Sequence, residues 1–163
     1  MAVRGKAIFI AGCWRSGSTL LGDVLGSLQG FAHVGELHHV WSRGLTLNWL
    51  CGCGEPFREC RFWSGVMAPW ANGTSAATLE RIRREMLEEM TSVEAAAAVC
   101  SNRPKYLVEC WGLIRRLFDV SAAEVIVDSS SPSGRRAFCS RLEGLSCMSC
   151  TWSGTRGRWS THW

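Results

Sequence analysis

Ile8-Phe-Ile-Ala-Gly-Cys-Trp-Arg-Ser-Gly-Ser-Thr-Leu-Leu21 decides the fold. The apolar run Ala7 to Ala11 reads as a buried strand. It enters a loop bracketed by Gly12 and Gly17, and Leu20, Leu21, Val24, Leu25 and Leu28 then recur at helical spacing. A strand, a glycine-bracketed loop and a helix start together make an anion site, because free backbone N–H groups and the helix dipole converge on one point. Gly12 and Gly17 have the spacing of the phosphate loop GxxxxGK[ST], but Ser18 stands where that loop has its lysine. The cation comes earlier, from Arg15. The expected ligand is a phosphate-like group held differently from the β- and γ-phosphates of ATP.

Working outward, Gly30 to Val40 reads as a loop or short strand leading to Glu36. Trp41 to Trp70 is rich in Trp, Gly and Cys without sustained periodicity, and is expected to be an irregular insert over the binding face. Ala76 to Val99 is helical in pattern, with Leu79, Ile82, Met86, Leu87 and Met90 in step and Thr74 or Ser75 as N-cap. Pro104 opens a further helix through Phe118, with Leu107, Cys110, Trp111, Ile114 and Leu117 on one face. Val125 to Val127 reads as a second parallel strand. Strands joined by helical crossovers imply an α/β fold in three layers, a parallel sheet flanked by helices.

The 163 residues suffice for one domain with a real core. Hydrophobic content of 47% and charged content of 20% are those of an ordinary globular chain. A net charge of +4 without a basic run gives no nucleic-acid surface. No apolar stretch reaches the ~20 residues of a membrane span, and the N-terminus lacks a secretory pattern. The expected location is cytoplasmic, with the nine cysteines mostly reduced thiols.

Gly12 to Leu21 resembles the 5′-phosphosulfate loop of bacterial sulfotransferases that use 3′-phosphoadenosine 5′-phosphosulfate (PAPS), which reads G-x-x-R-S-G-[ST]-[ST]-L-L. The likeness continues in family order through Gly35-Glu36, the cysteine-bearing segment Leu50 to Trp63, and Val125-Ile-Val-Asp-Ser-Ser130. It implies a P-loop-type fold, with residues 1–146 the N-terminal part of a sulfotransferase domain. It also implies sulfuryl transfer from PAPS to a hydroxyl or amine on a small molecule, glycan or peptide, without Mg²⁺. Gly12, Arg15, Ser16, Gly17, Ser18 and Thr19 would bind the donor, Arg15 offsetting charge on the leaving 5′-phosphate. Asp128, Ser129 and Ser130 would lie on the substrate side, where Ser131 replaces the family's usual lysine. A nucleotide kinase or ATPase, and a non-catalytic nucleotide-binding remnant, are the alternatives.

Glu36 is the candidate general base on family position, and His38 stands second, its free pKa being the better suited. His33 and His39 are read as packing or surface residues. Cys51-x-Cys53 with Cys60 offers three Zn²⁺ ligands without an evident fourth; thiols filling a tight loop is the preferred reading.

The family continues Asp-Ser-Ser-Lys with a helix, a hydrophobic strand, R-D-P-R and a serine, the arginine and serine holding the 3′-phosphate. Here residues 147–163 read CMSCTWSGTRGRWSTHW, with neither period nor family match. Shifted by one base, suitable codons for this tail read VHVVHLVRDPRAVVHSL, the missing segment. The tail is therefore expected to be out of frame and unstructured, leaving the sheet incomplete at the C-terminus.

Overall fold

A computed structural model describes residues 5–11, 16–71, 73–89, 104–130, 145–153 and 158–162. Gly12 and Arg15 of the loop, and Ser131, lie outside the described residues. Strand β1 (Gly5–Ala11) is followed by helix α1 (Ser18–Gly26) and strand β2 (Phe31–His33). A 3-10 turn (Leu37–His39) runs into a π-helical segment (Val40–Thr46), and helices α2 (Arg61–Ala71), α3 (Ala76–Glu89) and α4 (Pro104–Ser121) follow. Strands β3 (Val125–Asp128), β4 (Leu145–Ser153) and β5 (Arg158–His162) complete the set.

The sheet order is β2-β3-β1-β4-β5. The first four strands are mutually parallel, with Ile8 opposite Val127 and Met148, and β5 is antiparallel to β4. Strand alternation sorts the apolar side chains onto two faces. Ile8, Ile10, Val125 and Val127 pack with Leu21 and Leu25 of α1. Ala7, Phe9 and Ile126 pack in the larger cluster with Cys110, Leu113, Ile114 and Leu117 of α4 and with Trp63, Val66, Met67 and Trp70 of α2. The fold is thus mixed α/β, with helices against both faces of a parallel sheet.

Two expectations need correction, and one is refined. The helix expected after the loop is present, with Leu21 and Leu25 in the core, Leu20 and Val24 69% and 55% exposed, and Leu28 just past its end. The stretch Trp41 to Trp70 is not irregular throughout. Arg61–Ala71 is an α-helix whose period is hidden by Pro69. Proline lacks the N–H that would bond the carbonyl four residues back, and the orphaned Gly65 carbonyl instead accepts from the Arg116 guanidinium of α4.

The second correction concerns the tail. Leu145–Ser153 is a strand laid parallel to β1, Gly5 opposite Leu145 through Ala11 opposite Thr151. The expected unstructured segment and vacant central position are both overturned for these residues. A β ladder is made by backbone N–H and C=O groups, and the open edge of β1 satisfies them whatever the side chains.

Candidate functional site

The C-terminal ends of β1, β2 and β3 converge where open parallel sheets bind ligands. Helix α1 begins there. Its N-cap is Gly17, held at φ 81°, with no side-chain cap and no acidic residue in the first turn. The left-handed backbone at Gly17 suits glycine, and a helix start leaves its first amides without intrahelical partners. Ser16 Oγ is buried and, among the described residues, has no hydrogen-bond partner.

A cavity of about 330 Å³ opens beside this helix start, walled by Thr19, Glu36, His39, Arg43, Cys51 and Ser129 among others. Glu36 follows Gly35, whose φ of 71° turns the chain out of β2 and into the 3-10 turn. Asp128 and Ser130 fix that turn from the end of β3. Leu37 N–H donates to Asp128 Oδ1 at 3.3 Å, His38 N–H to Ser130 Oγ at 3.2 Å, and Ser130 N–H to Asp128 Oδ1 at 2.7 Å. Asp128, Ser129 and Ser130 are each 1% exposed. Of the three, Ser129 reaches the cavity wall; Asp128 and Ser130 are occupied in positioning Glu36.

Glu36 Oε2 lies 3.2 Å from His39 Nε2 and 4.0 Å from His38 Nε2. His39, expected to be a packing or surface residue, is the nearer partner and lines the cavity, whereas His38 is buried. Burial first, and the Arg43 guanidinium second, hold His39 down at about 4. The imidazole beside Glu36 is therefore neutral near pH 7. His33 packs as expected: Nδ1 is 2.9 Å from Asp23 Oδ1 and Nε2 is 3.1 Å from Ser129 Oγ, joining α1 to β3.

Arg43 was not legible as a site residue. It sits in the π-helical segment, its guanidinium 5.0 Å from the centre of the Trp49 ring, and brings a cation to the cavity wall. Such single-turn π elements cluster at functional sites, but nothing in Val40 to Thr46 marks one beforehand.

The far wall is the cysteine loop. Phe57 N–H donates to the Trp49 carbonyl at 2.9 Å and Cys51 N–H to the Glu55 carbonyl at 2.8 Å, closing a small hairpin that turns at Gly54. Cys51, Cys53 and Cys60 are free thiols whose Sγ atoms lie within 4.8 Å of one another. Burial, with the neighbouring Cys60 and Cys53 thiols, pushes Cys51 up to about 11. Cys60 opens α2; burial alone would raise it, but the Trp63 and Phe62 amides and the two other thiols bring it below the ordinary thiol value. Glu36, His38 and His39 form a second close group of possible metal ligands.

Compared with family models, curated proteins and solved structures, the chain matches none. Among the described residues no helix is long and apolar enough to cross a membrane.

Proposed function

We propose that this chain carries the donor end of a PAPS-dependent sulfotransferase site on a three-layer, P-loop-type fold. One observation carries most of the reading: α1 starts without a side-chain cap, next to a Ser16 Oγ that has no partner among the described residues, and Thr19 of its first turn lines the same cavity as Glu36 and His39. The resemblance of Gly12 to Leu21 to the phosphosulfate loop gives that anion site its chemistry.

In this mechanism the amides of Ser16 to Thr19 and the Ser18 and Thr19 hydroxyls hold the 5′-phosphosulfate. An acceptor hydroxyl enters beside Glu36. Its oxygen bonds to sulfur as the bond from sulfur to the 5′-phosphate oxygen breaks, and its proton passes to Glu36 Oε2. The neutral His39 imidazole lies against that same oxygen, 3.2 Å away. The departing phosphate takes the bond's electron pair, and Arg15 offsets the charge. No step requires a metal. The acceptor is a small molecule, glycan or peptide.

Calorimetry on the full chain tests the donor assignment. Adenosine 5′-phosphosulfate is expected to bind without Mg²⁺, and Arg15→Ala to weaken it by ~10-fold or more, about 1.4 kcal/mol. A preference for ATP with Mg²⁺ would overturn the assignment in favour of a nucleotide kinase or ATPase, a reading that Ser18 in the lysine position already disfavours. Binding without turnover in a chain of restored reading frame would leave only a nucleotide-binding remnant.

A further inference from the structure

The transfer reaction has no use for the three thiols gathered at the cysteine loop, of which Cys51 lines the cavity. We propose that Cys51, Cys53 and Cys60 form a thiolate site for Zn²⁺, with the fourth position open to solvent. The inference does not depend on the sulfotransferase reading.

Four observations support it. First, the Sγ atoms already lie within 4.8 Å of one another. Tetrahedral thiolates at about 2.3 Å from zinc are about 3.8 Å apart, so the site closes by a movement of about 1 Å at most. Second, the backbone is arranged in advance. Cys51 N–H bonds Glu55 O at 2.8 Å, Gly54 N–H bonds Cys51 O at 2.9 Å, and Leu50 bridges Pro56. This hairpin folds Cys51 and Cys53 back over Cys60, whose own N–H is tied to Pro56 O at 2.9 Å. Third, the exposures suit metal entry: Cys53 is exposed, Cys51 intermediate and Cys60 buried, giving an open side and an anchored base. Fourth, an all-sulfur set of this kind favours a soft or borderline cation over Mg²⁺ or Ca²⁺. Three protein ligands leave one position for water or an incoming donor.

The loaded site would join the hairpin to the start of α2. Leu50, Cys51 and Gly52 on one side and Phe57 and Trp63 on the other all line the cavity, so zinc would brace its wall.

The test uses the full 163-residue chain, reduced and stripped of metal. Titration with Co²⁺ alone is expected to give thiolate-to-cobalt charge-transfer bands and strong tetrahedral d–d bands, saturating at one ion per chain and erased by Zn²⁺. Cys53→Ser, at an exposed position, is expected to cost more than the ~10–100-fold typical of losing a group that merely supports a ligand; Cys110→Ala is expected to keep full affinity. Differential alkylation of the unsubstituted chain avoids any question of folding: Zn²⁺ should protect Cys51, Cys53 and Cys60. Absence of the cobalt bands, protection mapped to other cysteines, or a disulfide among these three that persists under the reducing conditions would each overturn the proposal.

Discussion

His39 stands beside the candidate base, its Nε2 3.2 Å from Glu36 Oε2, and the pH behaviour of this corner follows from the shift on His39. The folded value near 4 lies below the ordinary 6.5. As pH falls, the unfolded chain takes up the proton first, so stability is full above about 6.5 and declines toward 4. With the imidazole 25% exposed, solvent screening leaves about 1–2 kcal/mol of the effect. Urea midpoints at about pH 7 and about pH 4.5 should differ accordingly, and His39→Gln should remove most of the difference. A slope unchanged in that variant would place the titration elsewhere. For the base itself, Glu36→Gln in a frame-restored chain is expected to lower kcat by ~10²–10⁴-fold with nucleotide affinity nearly unchanged. If His38→Ala gives that pattern and Glu36→Gln does not, the proton goes to the buried histidine instead.

At the scale of elements, a polar link from α1 to the end of β3 passes through the His33 ring, beside the apolar packing of Leu21 and Leu25. A Cβ built on Gly22 would overlap His33 Nε2, the atom that meets Ser129. Gly22→Ala should therefore displace the imidazole from both Asp23 and Ser129 and cost about 1–3 kcal/mol, read as a lower urea midpoint with unchanged m. Wild-type stability in that variant would show the ring free to move aside. This contact also marks the limit of what the sequence discloses. Ala7 to Ala11, Val125 to Val127 and the helix after Pro104 were legible because apolar period and terminal signals agree there, and Ser75 does cap α3, its Oγ accepting from Thr78 N–H at 3.2 Å. The pairing of Glu36 with His39 was not legible, since a 3-10 turn brings residues three apart together in a segment with no periodic pattern. Nor was α2, where the Arg116–Gly65 bond that tolerates Pro69 joins residues 51 apart in sequence. Arg15 and Gly12, the residues that first identified the anion loop, lie outside the described residues.

For the whole molecule, the telling position is β4. It lies between β1 and β5 in the sheet, yet Leu145–Ser153 reads LSCMSCTWS. Parallel strands covered on both faces are ordinarily near-continuous Val, Ile and Leu. Ser146, Ser149, Thr151 and Ser153 put hydroxyls through this one. The backbone ladder accounts for its pairing but gives no reason for such a sequence, whereas a one-base shift in the coding frame does. Inserting one base at the Ser146–Cys147 junction is predicted to yield Val-His-Val-Val-His-Leu-Val-Arg-Asp-Pro-Arg in an open frame, filling the same place with a strand suited to it. The repaired chain should melt cooperatively where the 163-residue form melts broadly or aggregates. It should also gain binding that depends on the donor's 3′-phosphate, because an arginine and a serine would then lie beyond the strand to hold it. The comparison is direct: adenosine 3′,5′-bisphosphate against adenosine 5′-phosphate, on both chains. Resequencing that meets a stop codon at once in the shifted frame, or a 3′-phosphate preference already present in the unrepaired chain, would mean that LSCMSCTWS is the native strand and that the sheet tolerates it.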